Sequence, residues 1–476
     1  DACPAVADDE GVAAGGTGTG RGGSERERDD GAAGPPPPEK EPRWTPDVLA
    51  CAALVAGTAV GGGALAIPAA AAPCGLGPAM VGLVGTWSFL LVQGLLMLDV
   101  LSAALKERTG GSYCPLYGEG ISLGGIAEYA LGSRTGMVAA VLYGLFLEAT
   151  LVGQLSKGGL ILSTFVGGGI EASGSPLYAL STTALGTSLL VLCARGGARL
   201  MEGINALFVV ILLVAFGGIC AIAAVNGDWS HLLAHAPARW GGLTHALPVF
   251  LQVLSFNSVL PVVGTLLCGD LRRMRSAMVL GAAVPLLVCL AWTIVTLGLA
   301  PPYASAAAAS VAGDPVNLLL SRGAPGLSAL VGVFALSAAA TTIIAMFAGL
   351  LELFAEALRP TKTRSSTAAV EHGTHATEKA AAQADRAGGK GDLLAVLLAG
   401  LPATAFAAVD PSMFYEILSL SGAYLVPLIF CILPSAMSWA LGQRAAKAGA
   451  PPVPAARKAQ LLALGSLGFA CMFLPT

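Results

Sequence analysis

Residues 55–68 read VAGTAVGGGALAIP. They lie inside an apolar run, 48–72, and about 20 apolar residues suffice to cross a bilayer. A spanning helix must hydrogen-bond all of its own backbone, because lipid offers no partner. Yet Gly57, Gly61, Gly62 and Gly63 fill the middle of this run, and Pro68 follows. Each interior Gly costs a helix ~0.8–1 kcal/mol relative to Ala. A plain anchor has no use for that cost, whereas a helix that breaks at mid-membrane does.

The rest of the chain has the same character. Of its 476 residues, 55% are hydrophobic and 12% charged, with a mean hydropathy of +0.74; soluble domains carry about 25% charge. Eleven windows reach or approach spanning length: 48–72, 79–105, 137–166, 177–194, 203–225, 246–268, 276–300, 326–358, 392–408, 413–440 and 459–475. The window at 392–408 is the weakest, being short and interrupted by Pro402. The expected fold is an all-α polytopic membrane protein of about 11 transmembrane helices, with one transmembrane domain over 48–475. Residues 1–47 hold GGTGTGRGG, SERERDD and PPPP and are expected to be a disordered tail. The chain starts at Asp1 without an initiator Met, as a fragment or a processed form would. Residues 359–391 are polar and Ala/Gly-rich and read as a flexible loop between helices 8 and 9.

Basic residues test the count. Of the 26 Lys and Arg, 23 fall on one side of an eleven-span topology, two (Arg239 and Arg322) on the other, and Lys157 within a span. Such asymmetry places the N-terminus in the cytoplasm or its organellar equivalent. Several other readings find no footing. The closest cysteines, Cys268 and Cys289, are 21 residues apart and no CxxC occurs, so neither a zinc site nor a dithiol is indicated. His372 and His375 in HGTH, like His231 and His235, are pairs without further ligands. No basic block suggests nucleic acid, and no GxxxxGK[ST] suggests a primary pump.

Discontinuous helices are a device of secondary transporters, which often contain inverted repeats. If spans 1–5 and 6–10 are such repeats, span 6 must break where span 1 does. Span 6 reads FLQVLSFNSVLPVVGTLL, with Ser255, Asn257 and Ser258 clustered at mid-span and Pro261 after them. Pro suits the first turn of a second half-helix. The simpler alternative is a Pro-kinked helix whose serines bond their own carbonyls. Glu148 lies about 16 Å from the inner end of span 3, near the midplane. It reads as a proton-coupling or substrate-amine site, or as a neutral Glu bonded within the bundle. Lys157, nine residues on, reads as snorkelling to the outer interface. Asp99 reads as structural at the inner interface. Thr341 and Thr342 of span 8 read as possible site hydroxyls or as side chains bonded to their own i−4 carbonyl.

With these residues in hand, the chain resembles the aromatic and hydroxy amino acid permease family, the tyrosine/tryptophan permeases. Four stretches carry the likeness: VAGTAVGGGALAIP, LPVVGTLLCGDLRRMRSAMVLGAAVP, AAATTIIAMFAGLLELFAEAL and DPSMFYEILSLSGAYLVPLIFCILPSAMSW. The resemblance implies a five-plus-five inverted-repeat transporter fold with helices 1 and 6 broken. It implies a secondary carrier for an amino acid, usually aromatic, working by cation symport and alternating access, and not an enzyme. The coupling ion it implies is H+, with Na+ the alternative, and no cofactor. By the same resemblance, Gly57, Thr58, Gly61, Gly62, Gly63, Gln154, Ser255, Phe256, Asn257 and Ser258 contact substrate. Glu148, Gly57, Val60, Thr341 and Thr342 are the residues assigned to cation coupling. Asn257, Glu148 and Gln154 depart from residues usual in the family, so substrate choice stays open. A non-transporting sensor or a channel on the same fold is the competing class. The expected location is integral to a plasma or organellar membrane.

Overall fold

The computed structural model describes the backbone of residues 45–59, 61–108, 121–167, 175–227, 229, 239–299, 314–322, 325–358, 391–449 and 451–474. Most of the expected tail, the expected loop at 359–391 up to its last residue, and the four histidines of the two pairs lie outside the described residues. Among the described residues every regular element is helical. Helix α1 (Pro46–Ala59) begins two residues before the expected span, with Pro46 as its first residue, where a missing N–H costs nothing.

Span 1 is broken. After α1, Gly61 is extended (φ −141°, ψ −164°). A 3₁₀ turn, Gly62–Ala66, leads into α2 (Ile67–Ala71), with Pro68 in its first turn. Then come α3 (Leu76–Arg108), α4 (Leu123–Leu131), α5 (Ser133–Gly167) and α6 (Pro176–Asn226). Span 6 is broken too. Helix α7 (Leu243–Val253) stops at Leu254, a 3₁₀ turn covers Phe256–Val259, and α8 (Leu260–Leu266) follows with Pro261 in its first turn. The chain continues through α9 (Leu271–Leu299), α10 (Pro315–Arg322), α11 (Pro325–Leu358), α12 (Gly391–Ala407) and α13 (Met413–Leu420). Two π-helical stretches, Ser421–Leu425 and Pro427–Ile432, join α13 to α14 (Leu433–Lys447), and α15 (Ala455–Cys471) ends the described chain.

Eight stretches are long and apolar enough to cross a bilayer: 46–71, 76–107, 133–167, 203–226, 240–266, 271–299, 326–351 and 413–447. The other three expected windows appear as shorter helices, Pro176–Leu192, Val396–Ala407 and the 17-residue α15. Large apolar side chains such as Val138, Val141, Leu145, Val214 and Leu287 face outward, as a lipid-facing surface requires.

Helix α6 departs from the expectation of two spans, because its helical backbone runs unbroken for 51 residues. It is nevertheless not one rod. Cβ atoms built at Gly144 and Gly332 would meet Leu353 and Phe165, so α5 and α11 run antiparallel. Thr182 lies against Gly159 of α5, and Gly218 against Leu330 at the start of α11. Residues 182 and 218 therefore pack near the same end of the bundle. In a straight helix they would stand about 54 Å apart. Helix α6 therefore cannot be straight over this length.

Charged residues gather at the opposite end. Asp99 of α3 pairs with Arg275 at the start of α9 and with Arg457 at the start of α15 (3.4 Å). Arg273 reaches Asp47 and Thr45 at the foot of α1. Lys157 is the clear correction. Instead of snorkelling it is 1% exposed and bonded to Asp314 (2.7 Å) and Asn317 (2.9 Å). Its partners lie 157 and 160 residues away along the chain, so no local depth count reveals them.

Spans 6 and 10 approach most tightly at a glycine. A Cβ at Gly422, in the first π-helical stretch, would stand 1.8 Å from the Pro248 carbonyl oxygen, which is backbone and cannot step aside. Gly422→Ala is therefore expected to destabilise the protein by about 1–3 kcal/mol, read as a lowered melting temperature in detergent. An unchanged melting temperature would show that this contact is loose.

Candidate functional site

The two breaks face each other across a small cavity of about 40 Å³. Gly61 and Gly63 line it from span 1, and Gln252, Val253, Ser255 and Ser258 from span 6. Phe146, Thr150 and Gln154 come from α5, Thr342 and Met346 from α11, and Leu418 from α13.

Local geometry decides which residues reach it. A 3₁₀ turn has three residues per turn, so side chains at i and i+3 eclipse. Ser255 and Ser258 are three apart and both line the cavity. Between them, Phe256 (1% exposed) and Asn257 (0%) turn into the bundle. Asn257 donates its amide to the Leu90 carbonyl (3.1 Å), so two residues assigned by resemblance stand behind the cavity rather than in it. The backbone N–H of Gly62 donates to Thr342 Oγ1 (2.8 Å), so it is already bonded rather than free for a carboxylate. A Cβ on Gly62 would come within 1.8 Å of Gln154 Oε1 and 3.0 Å of Ala339 Cα. That site thus requires glycine for close approach of three spans. Gln154 is fully buried, and neither of its amide atoms has a hydrogen-bond partner among the described residues. A buried amide left unpaired is costly, and one that lines a cavity is poised for a ligand.

Among the described residues, those assigned to a cation do not assemble as a cage. Thr341 and Thr342 both donate to the Ala338 carbonyl (2.9 and 3.1 Å). Thr342 Oγ1 also receives the Gly62 N–H, a donor where a metal ion would need acceptors. Gly57 is exposed, and nothing would approach a Cβ there within 4 Å. Val60, and the side chain of Thr58, lie outside what is described. Glu148 sits on another face of α5. It is two residues from Phe146 and from Thr150, hence ~160–200° around the helix from them. The substrate-amine reading therefore has no geometric support. Its carboxyl oxygens are buried with no hydrogen-bond partner among the described residues, and the backbone of Ala403 in α12 faces them.

Sequence reasoning missed the best-ordered polar chain in the site. Ser421 donates to Gln252 Oε1 (2.8 Å), Gln252 Nε2 donates to Thr150 Oγ1 (2.9 Å), and Thr150 donates to the Phe146 carbonyl (2.8 Å). This ties spans 3, 6 and 10 together at the cavity wall. Its signal was present: Phe146, Thr150 and Gln154 recur every four residues along one helix face. The π-helix at Ser421–Leu425 had no signal of its own, although such bulges gather at functional sites.

Two substitutions probe this geometry. Gly62→Ala is expected to destabilise the protein by about 1–3 kcal/mol, and Gly62→Ala with Gln154→Ala to recover part of that loss by removing the clashing amide. The melting temperature of the purified protein in detergent reads both. A native melting temperature in the single variant would mean that span 1 does not form the wall described.

The sequence profile of the tryptophan/tyrosine permease family matches residues 44–472. The chain is 26% identical over 246 residues to the tyrosine-specific transport system 1 of Haemophilus influenzae, covering 52% of this chain and 56% of that one. It is 27% identical over 249 residues to the tyrosine-specific transport system 2 of the same organism, covering 52% and 57%. It is 23% identical over 327 residues to a tryptophan-specific transport protein of Pseudomonas aeruginosa, covering 67% and 74%. The chain thus spans little more than half the length of the first two relatives. These relatives are named as transport systems and not as enzymes. With the family profile running from the foot of α1 to the end of α15, the chain belongs to the tryptophan/tyrosine permease family.

Proposed function

We propose that the chain is a secondary carrier that moves an aromatic amino acid, tyrosine or tryptophan, across a membrane by proton symport. The observation that carries this reading is the cavity between two broken spans, Gly61–Gly63 on one side and Ser255–Ser258 on the other. Half-helix ends and unwound backbone at mid-membrane suit the charged ends of an amino acid. Phe146, Val253, Met346 and Leu418 supply an apolar wall for a ring, and Gln154 and Gln252 supply the polar contacts.

The eleven-span, five-plus-five arrangement belongs to the same proposal. It is supported by contacts that map onto one another when each span n is exchanged with span n+5. Span 1 packs on span 7 as span 6 packs on span 2. Span 3 packs on spans 4 and 10 as span 8 packs on spans 9 and 5. Alternating access then consists of the two halves rocking about the cavity. The N-terminus is cytoplasmic or its organellar equivalent, by the distribution of Lys and Arg.

Glu148 is the proton carrier in this scheme. It faces span 9 rather than substrate, so protonation acts on the packing of α5 against α12 and not on the ligand itself. A sodium site among Gly57, Thr341 and Thr342 is disfavoured by the Gly62 N–H at Thr342.

Uptake of labelled tyrosine into proteoliposomes, with and without an inward proton gradient, tests the reading. Saturable uptake accelerated about tenfold by the gradient, and competed by tryptophan, is expected. Glu148→Gln should retain binding and exchange but lose gradient-driven accumulation. Full accumulation by that variant would remove Glu148 from the scheme, and binding without flux in the native protein would make the chain a sensor.

A further inference from the structure

The proposed transport cycle leaves two buried charges unused. Lys157 is 1% exposed and Asp314 fully buried, with Nζ to Oδ2 at 2.7 Å. Asn317 Oδ1 takes a second N–H at 2.9 Å, and the rings of Phe414 and Tyr415 lie 5.3 and 5.5 Å from the ammonium. Asp314 also caps α10, because its Oδ1 accepts the Val316 N–H (3.0 Å). A cation held this way has its Coulomb partner, a hydrogen-bond acceptor and two π faces, which together replace its water.

The position of this cluster relative to the cavity is what makes it informative. Gln154 lines the cavity, and Lys157 lies three residues further along α5, one turn on and about 60° around. Leu418 lines the cavity, and Phe414 lies one turn earlier on α13. The cluster is therefore the next layer beyond the cavity wall, toward the end where α5 finishes and α11 begins. Helix α10 supplies Asp314 and Asn317 to it while packing on α2, α9 and α11. Val316, Leu318 and Leu319 of α10 are buried, and the Leu319 carbonyl accepts from Ser328 (2.9 Å). One short helix thus touches the second half of broken span 1 and is tied through Lys157 to spans 3 and 10.

We propose that Lys157, Asp314 and Asn317 form a latch that holds α10 across this end of the cavity, and that access from this side requires α10 to leave Lys157. The part it plays in transport rests on the carrier reading above; the holding of α10 does not. A buried pair is strong only while water is excluded, and an exposed one contributes little. Water entering at this end weakens the latch, and closing expels the water and restores it, so the pair favours two discrete states over intermediate ones. Lys157 and Asp314 are positioning residues here and do not touch substrate.

The test is hydrogen–deuterium exchange of the full-length protein in nanodiscs, without substrate. The variants are Lys157→Met, Asp314→Asn and the double variant Lys157→Met/Asp314→Asn, which keeps an oxygen to cap α10. The double variant leaves no unpaired buried charge and guards against single variants that fail to fold. The expected result is an exchange rate for the amides of 316–322 raised about tenfold in the double variant. The 271–299 amides and the melting temperature should stay at native values. Tyrosine binding should persist while accumulation in proteoliposomes falls about tenfold. Unchanged exchange in 316–322 overturns the latch, and so does a rise spread over the whole bundle with a lowered melting temperature, which marks a merely structural pair. Absence of uptake by the native protein would count against the carrier reading alone, because exchange reads the latch without substrate.

Discussion

A backbone amide inside a bilayer must find its hydrogen bond within the protein, and the rest of this structure depends on how spans 1 and 6 meet that rule while abandoning the helix. Each interrupts its ladder for a few residues and hands the freed groups to side chains, from another span or from its own. The Gly62 N–H goes to Thr342 in span 8, and the Gln252 carbonyl takes the Ser255 hydroxyl (2.6 Å). The breaks are tolerable only because α5, α11 and α13 stand close enough to receive or shield them. That closeness in turn demands glycine at 61, 62 and 422, where a Cβ would strike a neighbour. Polar breaks, small residues and a central cavity are thus one arrangement seen from three sides.

Charge is organised around the same arrangement. At the Arg-rich end the ion pairs are partly exposed, Asp99 being 23% exposed and its two arginine partners about half. Such pairs contribute little individually and can be rearranged cheaply. At the other end the Lys157–Asp314 pair is sealed from water. The two ends of the bundle therefore use electrostatics differently, loosely where the chain is rich in Arg and in one committed contact where it is poor.

Much of this was legible in the residues. The apolar windows, both broken spans and the Ser255–Ser258 cluster follow from composition, glycine placement and proline position. Hydropathy also places two spans in what the backbone makes one continuous helix, and the packing of Thr182 and Gly218 shows that this helix is not straight. The misses share a cause, which is that they depend on partners remote in the chain. Lys157 reads as an interfacial lysine until Asp314 arrives from beyond span 7. Gln252 reads as one polar residue in an apolar run until Thr150 and Ser421 close on it. Asn257 reads as a site residue until the 3₁₀ period turns it toward Leu90.

The central claim is that the two breaks hold the ligand between them. A structure of the protein in a lipid nanodisc with tyrosine bound tests it most directly. The account predicts the α-carboxylate at the backbone of Gly61 and Gly63, the ring against Phe146 and Met346, and Gln154 hydrogen-bonded to the ligand. Tyrosine bound elsewhere, or bound beside a span 1 that runs as an unbroken helix, would contradict it.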